Sequence, residues 1–145
     1  MIFRAVWGVT LLAVLGGFVV ACSPGEATQT LSERVDRYWE LKQAKRWDEV
    51  YDLFLDPQDK EKLTREAFLR RRVLAFDILS YTIPEIGEDG SELGEDGEEA
   101  TVSVTNDAHI PVPAGQEKLR MVRRTVVTTD TWVRREGVWY VSLSA

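Results

Sequence analysis

The apolar residues of this chain change period once, near residue 75. Before that point they recur every three to four residues. After it they alternate. A chain that reads as short helices first and strands afterwards folds as α+β, with helices packed on one face of an antiparallel sheet. In "LSERVDRYWELKQAKRW" the apolar set Leu31, Val35, Tyr38, Trp39 and Leu41 forms one helical face. Ser32 or Thr30 can cap its start, and Lys42, Lys45 and Arg46 stand near its end, where cations favour the helix dipole. "WDEVYDLFLDP" repeats the pattern at Trp47, Val50, Tyr51 and Phe54, and Pro57 is expected to stop it. "LTREAFLRRRVL" gives a third helix, capped by Thr64, with Leu63, Ala67, Phe68 and Val73 on one side.

The strand half begins with "AFDILSYTIPEI", where Pro84 marks an edge or a strand end. In "EEATVSVTNDAHI", Ala100, Val102 and Val104 alternate with Thr101, Ser103 and Thr105. "EKLRMVRRTVVTTDTWVRR" is one long strand, and Glu136-Gly137 turns it into "VWYVSLSA". A two-residue turn there sets Arg134 opposite Trp139 and Trp132 opposite Val141, on one face with Leu143, and leaves Val133 and Tyr140 on the other.

The first residues read as an address rather than a fold. Arg4 is followed by an uncharged stretch over 5–21, suited to a signal-peptide core and short for a membrane span of ~20 residues. Val19-Val20-Ala21-Cys22 resembles a bacterial lipobox. The resemblance implies cleavage before Cys22, with diacylglycerol on its thiol and an acyl chain, such as palmitate, on its new amino terminus. Several chains anchor a protein stably where one does not. Cys22 is the single cysteine, so no intramolecular disulfide forms. The alternatives are an uncleaved anchor with an incidental cysteine, or ordinary secretory cleavage. Ser23 follows where Asp would resemble an inner-membrane retention signal. In a two-membrane envelope this favours the outer membrane, facing the periplasm.

Residues 1–21 are thus expected to be a leader, 22–30 a lipidated polar tether, and 31–145 a single domain. The chain carries a net charge of −6, and losing Arg4 makes it more acidic. That argues against nucleic acid as a partner and against headgroup charge as the anchor. Five Trp exclude general disorder.

The helical run "RVDRYWELKQAKRWDEVYDLFLDP", the β-rich half and the closing "TWVRREGVWYV" together resemble the nuclear transport factor 2-like superfamily. The resemblance implies a cone: about three N-terminal helices on a curved antiparallel sheet, with a pocket at the open end. A cystatin-like arrangement with fewer helices is the competing fold. In ketosteroid isomerase-like members a Tyr on the first helix and a protonated Asp on a late strand hold an oxyanion, and an Asp base moves the proton. Tyr38 and Asp130 fall at or near the first two positions. No residue matches the base: Asp56 precedes Pro57 and a helical stretch, and Asp77 matches no motif position. The plainer reading makes Tyr38 a core aromatic and Asp130 a polar strand residue.

Other candidates carry less chemistry. His109, the one histidine, lies opposite the Ala100–Val102–Val104 face and reads as a surface residue. With one His and one Cys no transition-metal site is expected, and no cofactor motif is present. "EIGEDGSELGEDGEE" holds eight acids but lacks the calcium-loop register, and reads as an acidic hairpin loop. Arg70, Arg71 and Arg72, and Arg120, Arg123 and Arg124, are basic patches, either solvated faces or sites for an acidic partner or lipid phosphate.

The first expectation is therefore a membrane-anchored, non-enzymatic lipoprotein domain. It would bind a protein or apolar ligand through a pocket lined by Tyr38, Trp39, Trp47, Phe54, Trp132 and Trp139. The alternatives are an isomerase or lyase using Tyr38 and Asp130, and a structural subunit that dimerises or joins an envelope complex.

Overall fold

The computed structural model describes residues 29–72, 76–84, 97–115 and 118–143. The leader, Cys22, most of the tether, Val73 and residues 85–96 of the acidic loop lie outside the described residues.

Helix α1, Leu31–Gln43, starts on a capping box. The Glu33 amide donates to the Thr30 hydroxyl, and the Thr30 amide donates to the Glu33 carboxylate. After a turn with Lys45 at φ 58°, α2 runs over Trp47–Phe54. It ends before Pro57, because Leu55 turns extended and bridges to Val141 in the last strand. Pro57 instead opens a further helix, α3, Pro57–Lys62, in the first-turn position where a missing N–H costs nothing. Asp56 caps it by accepting from the Gln58 amide at 3.1 Å. Helix α4, Arg65–Arg72, is capped by Thr64, whose hydroxyl accepts from the Ala67 amide. Among the described residues four helices thus stand where the apolar spacing suggested three; α3 presents almost no apolar residues to mark it as a helix of its own.

Among the described residues the second half is a four-stranded antiparallel sheet in the order β1-β2-β3-β4. The strands are β1 Asp77–Thr82, β2 Glu99–Pro113, β3 Leu119–Arg135 and β4 Val138–Ser142. The architecture is α+β, as the change of period required. Ala100, Val102 and Val104 are buried, and Thr101, Ser103 and Thr105 are exposed. The last hairpin has the expected register, Trp132 against Val141 and Arg134 against Trp139. Its turn residues both have positive φ, 50° at Glu136 and 84° at Gly137, the twist that a two-residue hairpin demands.

The helices cover one face of the sheet, and the core forms between them from Val35, Tyr38, Trp39, Phe54, Val104 and Trp132 among others. The outer edge of β4 is closed by helix-side groups. Arg34 Nε donates to the Trp139 carbonyl at 3.0 Å, the Asp56 amide donates to the Val141 carbonyl at 3.0 Å, and the Leu143 amide donates to the Asp59 carboxylate at 2.7 Å. An edge whose backbone is occupied in this way does not recruit another chain.

β2 and β3 outrun their neighbours. β1 pairs with β2 only as far as His109, and β4 pairs with β3 only from Thr131. Residues 110–113 and 119–122 therefore form a two-stranded ribbon projecting from the body.

Candidate functional site

The structure brings Tyr38 and Asp130 together and sets Lys42 between them. Tyr38, Trp39 and Lys42 share the buried face of α1, and Asp130 points from β3 toward that face. Lys42 Nζ lies 3.8 Å from Asp130 Oδ2, 3.7 Å from the Trp39 ring centre and 4.7 Å from that of Tyr38. The ammonium is thus held by one carboxylate and two aromatic faces. At 3.8 Å the ion pair is not a hydrogen bond, and Asp130 Oδ2 has no hydrogen-bond partner among the described residues. Trp39 Nε1, Trp132 Nε1, Asn106 Oδ1 and Arg72 Nε share that condition. Asn106 uses its amide nitrogen to donate to Thr128 Oγ1 at 3.0 Å.

Burial dominates the electrostatics. It pulls the Lys42 ammonium down to about 8, against the opposing charge of Asp130. It pushes the Asp130 carboxyl up, with Lys42 and Arg72 opposing, and it pushes the Tyr38 phenol up, helped by the charge of Asp130. Each group is driven toward its neutral form. Chemically the trio can supply a phenol donor, a carboxyl group and a partly neutral amine.

Access is narrow. A small pocket lined by Tyr38, Val50, Leu55, Phe68, Arg72, Val141 and Leu143 opens beside them, with room for about one water molecule. Arg72 lies on the rings of Phe68 and Trp47, with its guanidinium carbon 4.8 Å and 5.5 Å from their centres.

Of the six aromatics expected to line a pocket, Tyr38 alone lines this one. Trp39 and Trp132 are 0 % exposed, Phe54 and Trp139 are buried, and Trp47 is partly buried against the core. Tyr38 stands edge-on to Trp132 at 5.4 Å and to Trp39 at 6.4 Å, and is tilted against Phe54 at 5.7 Å. The aromatics fill the space between α1 and the sheet with one another.

Asp56 and Asp77, considered as bases, lie elsewhere. Asp56 is buried as the α3 cap and pairs with Arg135 at 3.2 Å. Asp77 pairs with Lys45 at the start of β1, which holds its carboxyl below the usual range. His109 is half-buried on β2, between Asp77 and Arg123 in the register. Among the described residues no group of His, Cys, Asp or Glu is placed to hold a metal ion, and no helix is long and apolar enough to cross a membrane.

Sequence reasoning missed Lys42 and Arg72. Lys42 read as a helix-terminal cation. The usable signal was its spacing, three and four residues past Trp39 and Tyr38 and therefore on their face. Arg72 read as one of three dipole-favouring arginines, and nothing in its run separates it from Arg70 and Arg71.

No family model matches the chain, and no curated protein matches it. Among solved structures, the chain is similar to the crystal structure of the intermembrane space region of the chloroplast protein ARC6. The match has 17% sequence identity and a TM-score of 0.44, and covers 77% of this chain and 89% of that one.

Proposed function

We propose that the chain is an envelope lipoprotein, held by acyl chains on Cys22 and, where two membranes exist, placed on the outer membrane facing the periplasm. Its α+β domain is read as a nuclear transport factor 2-like cone that works as a non-enzymatic binding module. One structural observation supports the module reading above the others. The interior that would receive a substrate is occupied by Tyr38, Trp39, Phe54 and Trp132 packed on each other, and the adjoining pocket takes about one water. A domain built in this way binds through its surface or through that small pocket. The anchor is tested in bacteria fed radiolabelled palmitate. The wild-type chain is expected to carry label and to fractionate with membranes. Cys22→Ala is expected to lose all label; label retained by that variant would end the lipidation reading.

A second reading, an isomerase or lyase, draws on the approach of Tyr38 to Asp130 and on an Asp130 carboxyl pushed toward its protonated form. Lys42 departs from the ketosteroid isomerase-like pattern, because it claims the carboxylate that would have to donate to an oxyanion. If this reading holds, Tyr38→Phe removes the oxyanion donor and lowers kcat at least 100-fold with an unchanged urea midpoint. A Tyr38→Phe variant as active as wild type on any enolisable ketone that the wild type turns over would exclude it.

A further inference from the structure

Arg72, the last residue of α4, carries a charge that its surroundings do not answer. Among the described residues it forms no ion pair and no hydrogen bond, and its Nε is buried without a partner. Its guanidinium is held by rings instead, with Phe68 centred 4.8 Å and Trp47 5.5 Å from its carbon. A ring face attracts a cation but does not replace a strong hydrogen-bond acceptor. A donor that has given up water without gaining an acceptor is costly, so an acceptor supplied from outside is rewarded.

The same guanidinium lines the small pocket, and Tyr38 lines it too. These two are the polar members of a wall that is otherwise apolar. The Tyr38 hydroxyl makes no hydrogen bond among the described residues, and burial keeps it protonated, so it stands as a donor. The recess holds about one water, while the whole unfilled space, open solvent included, is about 200 Å³. Of the apolar wall residues, Val50, Leu55, Phe68 and Val141 are buried and Leu143 is 46% exposed, so the pocket meets solvent on the side of Leu143.

The local charges select the ligand. Lys42 and Asp130 lie 3.8 Å apart and together add no net charge, whether both are ionised or both neutral. Arg72, whose field reaches Tyr38, Lys42 and Asp130, is thus left with one positive charge over. One excess charge suits a monoanion, and the Asp130 carboxylate opposes a second negative charge. Planar N–H donors match the two oxygens of a carboxylate.

We propose that this pocket binds an aliphatic monocarboxylate, with the Arg72 guanidinium and the Tyr38 hydroxyl donating to its carboxylate and with Leu55, Val141 and Leu143 flanking its chain. The carboxylate takes the place of water in the recess, and the chain leaves toward solvent along Leu143, so the packed aromatic interior need not open. The proposal rests on the binding-module reading and names the ligand class of its pocket.

The test is equilibrium dialysis of radiolabelled hexanoate against the full-length chain in uncharged detergent micelles, with empty micelles as the blank. Saturable binding is expected, displaced by unlabelled hexanoate and not by the same excess of hexanol. Arg72→Met is expected to weaken it about tenfold or more, and Tyr38→Phe about fivefold. Arg71→Met, on an exposed neighbour outside the pocket, is expected to leave it unchanged. Leu143→Trp, at an exposed position that tolerates a larger side chain, is expected to close the mouth and abolish binding, and it decides the matter even where Arg72→Met unfolds the domain. No binding above the blank, displacement by hexanol as strong as by hexanoate, equal losses in Arg71→Met and Arg72→Met, or undiminished binding in Leu143→Trp overturns the proposal. Those outcomes leave the surface as the binding part of the module reading. Turnover of an enolisable ketone that Tyr38→Phe abolishes ends the module reading itself, whatever the dialysis gives.

Discussion

Lys42→Met is expected to destabilise the protein by about 3–5 kcal/mol near neutral pH, and adding Asp130→Leu is expected to restore most of that loss. The single change removes the cation that contacts the buried Asp130 carboxylate; the double change leaves an apolar layer on the Trp39 and Tyr38 rings. Two buried charges gain little over well-packed apolar groups, whereas one abandoned charge costs its whole desolvation. Urea denaturation of wild type, both single variants and the double gives the cycle. A double variant no more stable than Lys42→Met would show that the pair holds the fold by more than mutual neutralisation. The pH dependence has a definite sign. The Lys42 pKa is lowered to about 8 from 10.5, so between those values the unfolded chain keeps a proton that the folded one has released. Stability contributed by this residue therefore rises with pH across that window. Above pH 10 the raised Tyr38 pKa opposes it, because the unfolded phenol ionises first. Lys42→Met loses the rising segment. In that variant the contribution of Asp130 is instead fullest in acid, where its carboxyl is protonated.

Arg34→Met is expected to cost about 3–5 kcal/mol, and Arg34→Lys is expected to recover little of it. The guanidinium is 2 % exposed and donates to two backbone carbonyls, Trp139 at 3.0 Å and Leu53 at 2.6 Å, while lying 4.2 Å over the Phe54 ring. Methionine fills the volume but leaves the buried Trp139 carbonyl without its donor, at about 1–3 kcal/mol, deprives the partly buried Leu53 carbonyl of its own, and removes the stacked cation. A lysine ammonium cannot reproduce the planar fork that meets carbonyls on two different elements. The same urea titration checks this, with trypsin cleavage as a second measure: loss of the edge closure should expose the chain around β4. A Lys variant as stable as wild type would mean that charge alone matters at this position.

Both predictions concern residues that the apolar pattern concealed. Ala100, Val102 and Val104 were legible because period-2 alternation has one physical cause, a sheet with one buried face. The Glu136-Gly137 turn was legible because two positive φ values restrict the residues that fit there. Tyr38 and Asp130 could be placed near one another by resemblance, and the structure brings them together. Arg34 and Lys42 lie on the stripe Leu31, Val35, Tyr38, Trp39 but are charged, and a hydrophobicity count assigns charges to solvent. Their burial becomes understandable only with their partners in view: carbonyls of the edge strand β4 and of α2 for Arg34, and a carboxylate on β3 for Lys42. The plugging of the interior was equally hidden. Six aromatics can line a cavity or fill one, and the choice depends on interlocking ring geometry rather than on their number. The stretch after Pro57 reads as helical, but not as a helix of its own, because Pro57 counts there only as the stop of α2, when the same fixed φ also starts a helix.

The closure of β4 by Arg34 has a consequence for the order of folding. Arg34 and Trp139 are 105 residues apart in sequence. As the chain is synthesised, α1 emerges well before β4, which carries one of the carbonyls that its guanidinium meets. The β2–β3 hairpin can form from neighbouring residues, but the Arg34 contact of α1 waits for β4, and a contact of such long range is slow to form. Until then the nascent chain lacks its last edge and its helix layer is incomplete. The fold thus commits only once β4 is available, and a chain cut before β4 would remain open at that edge.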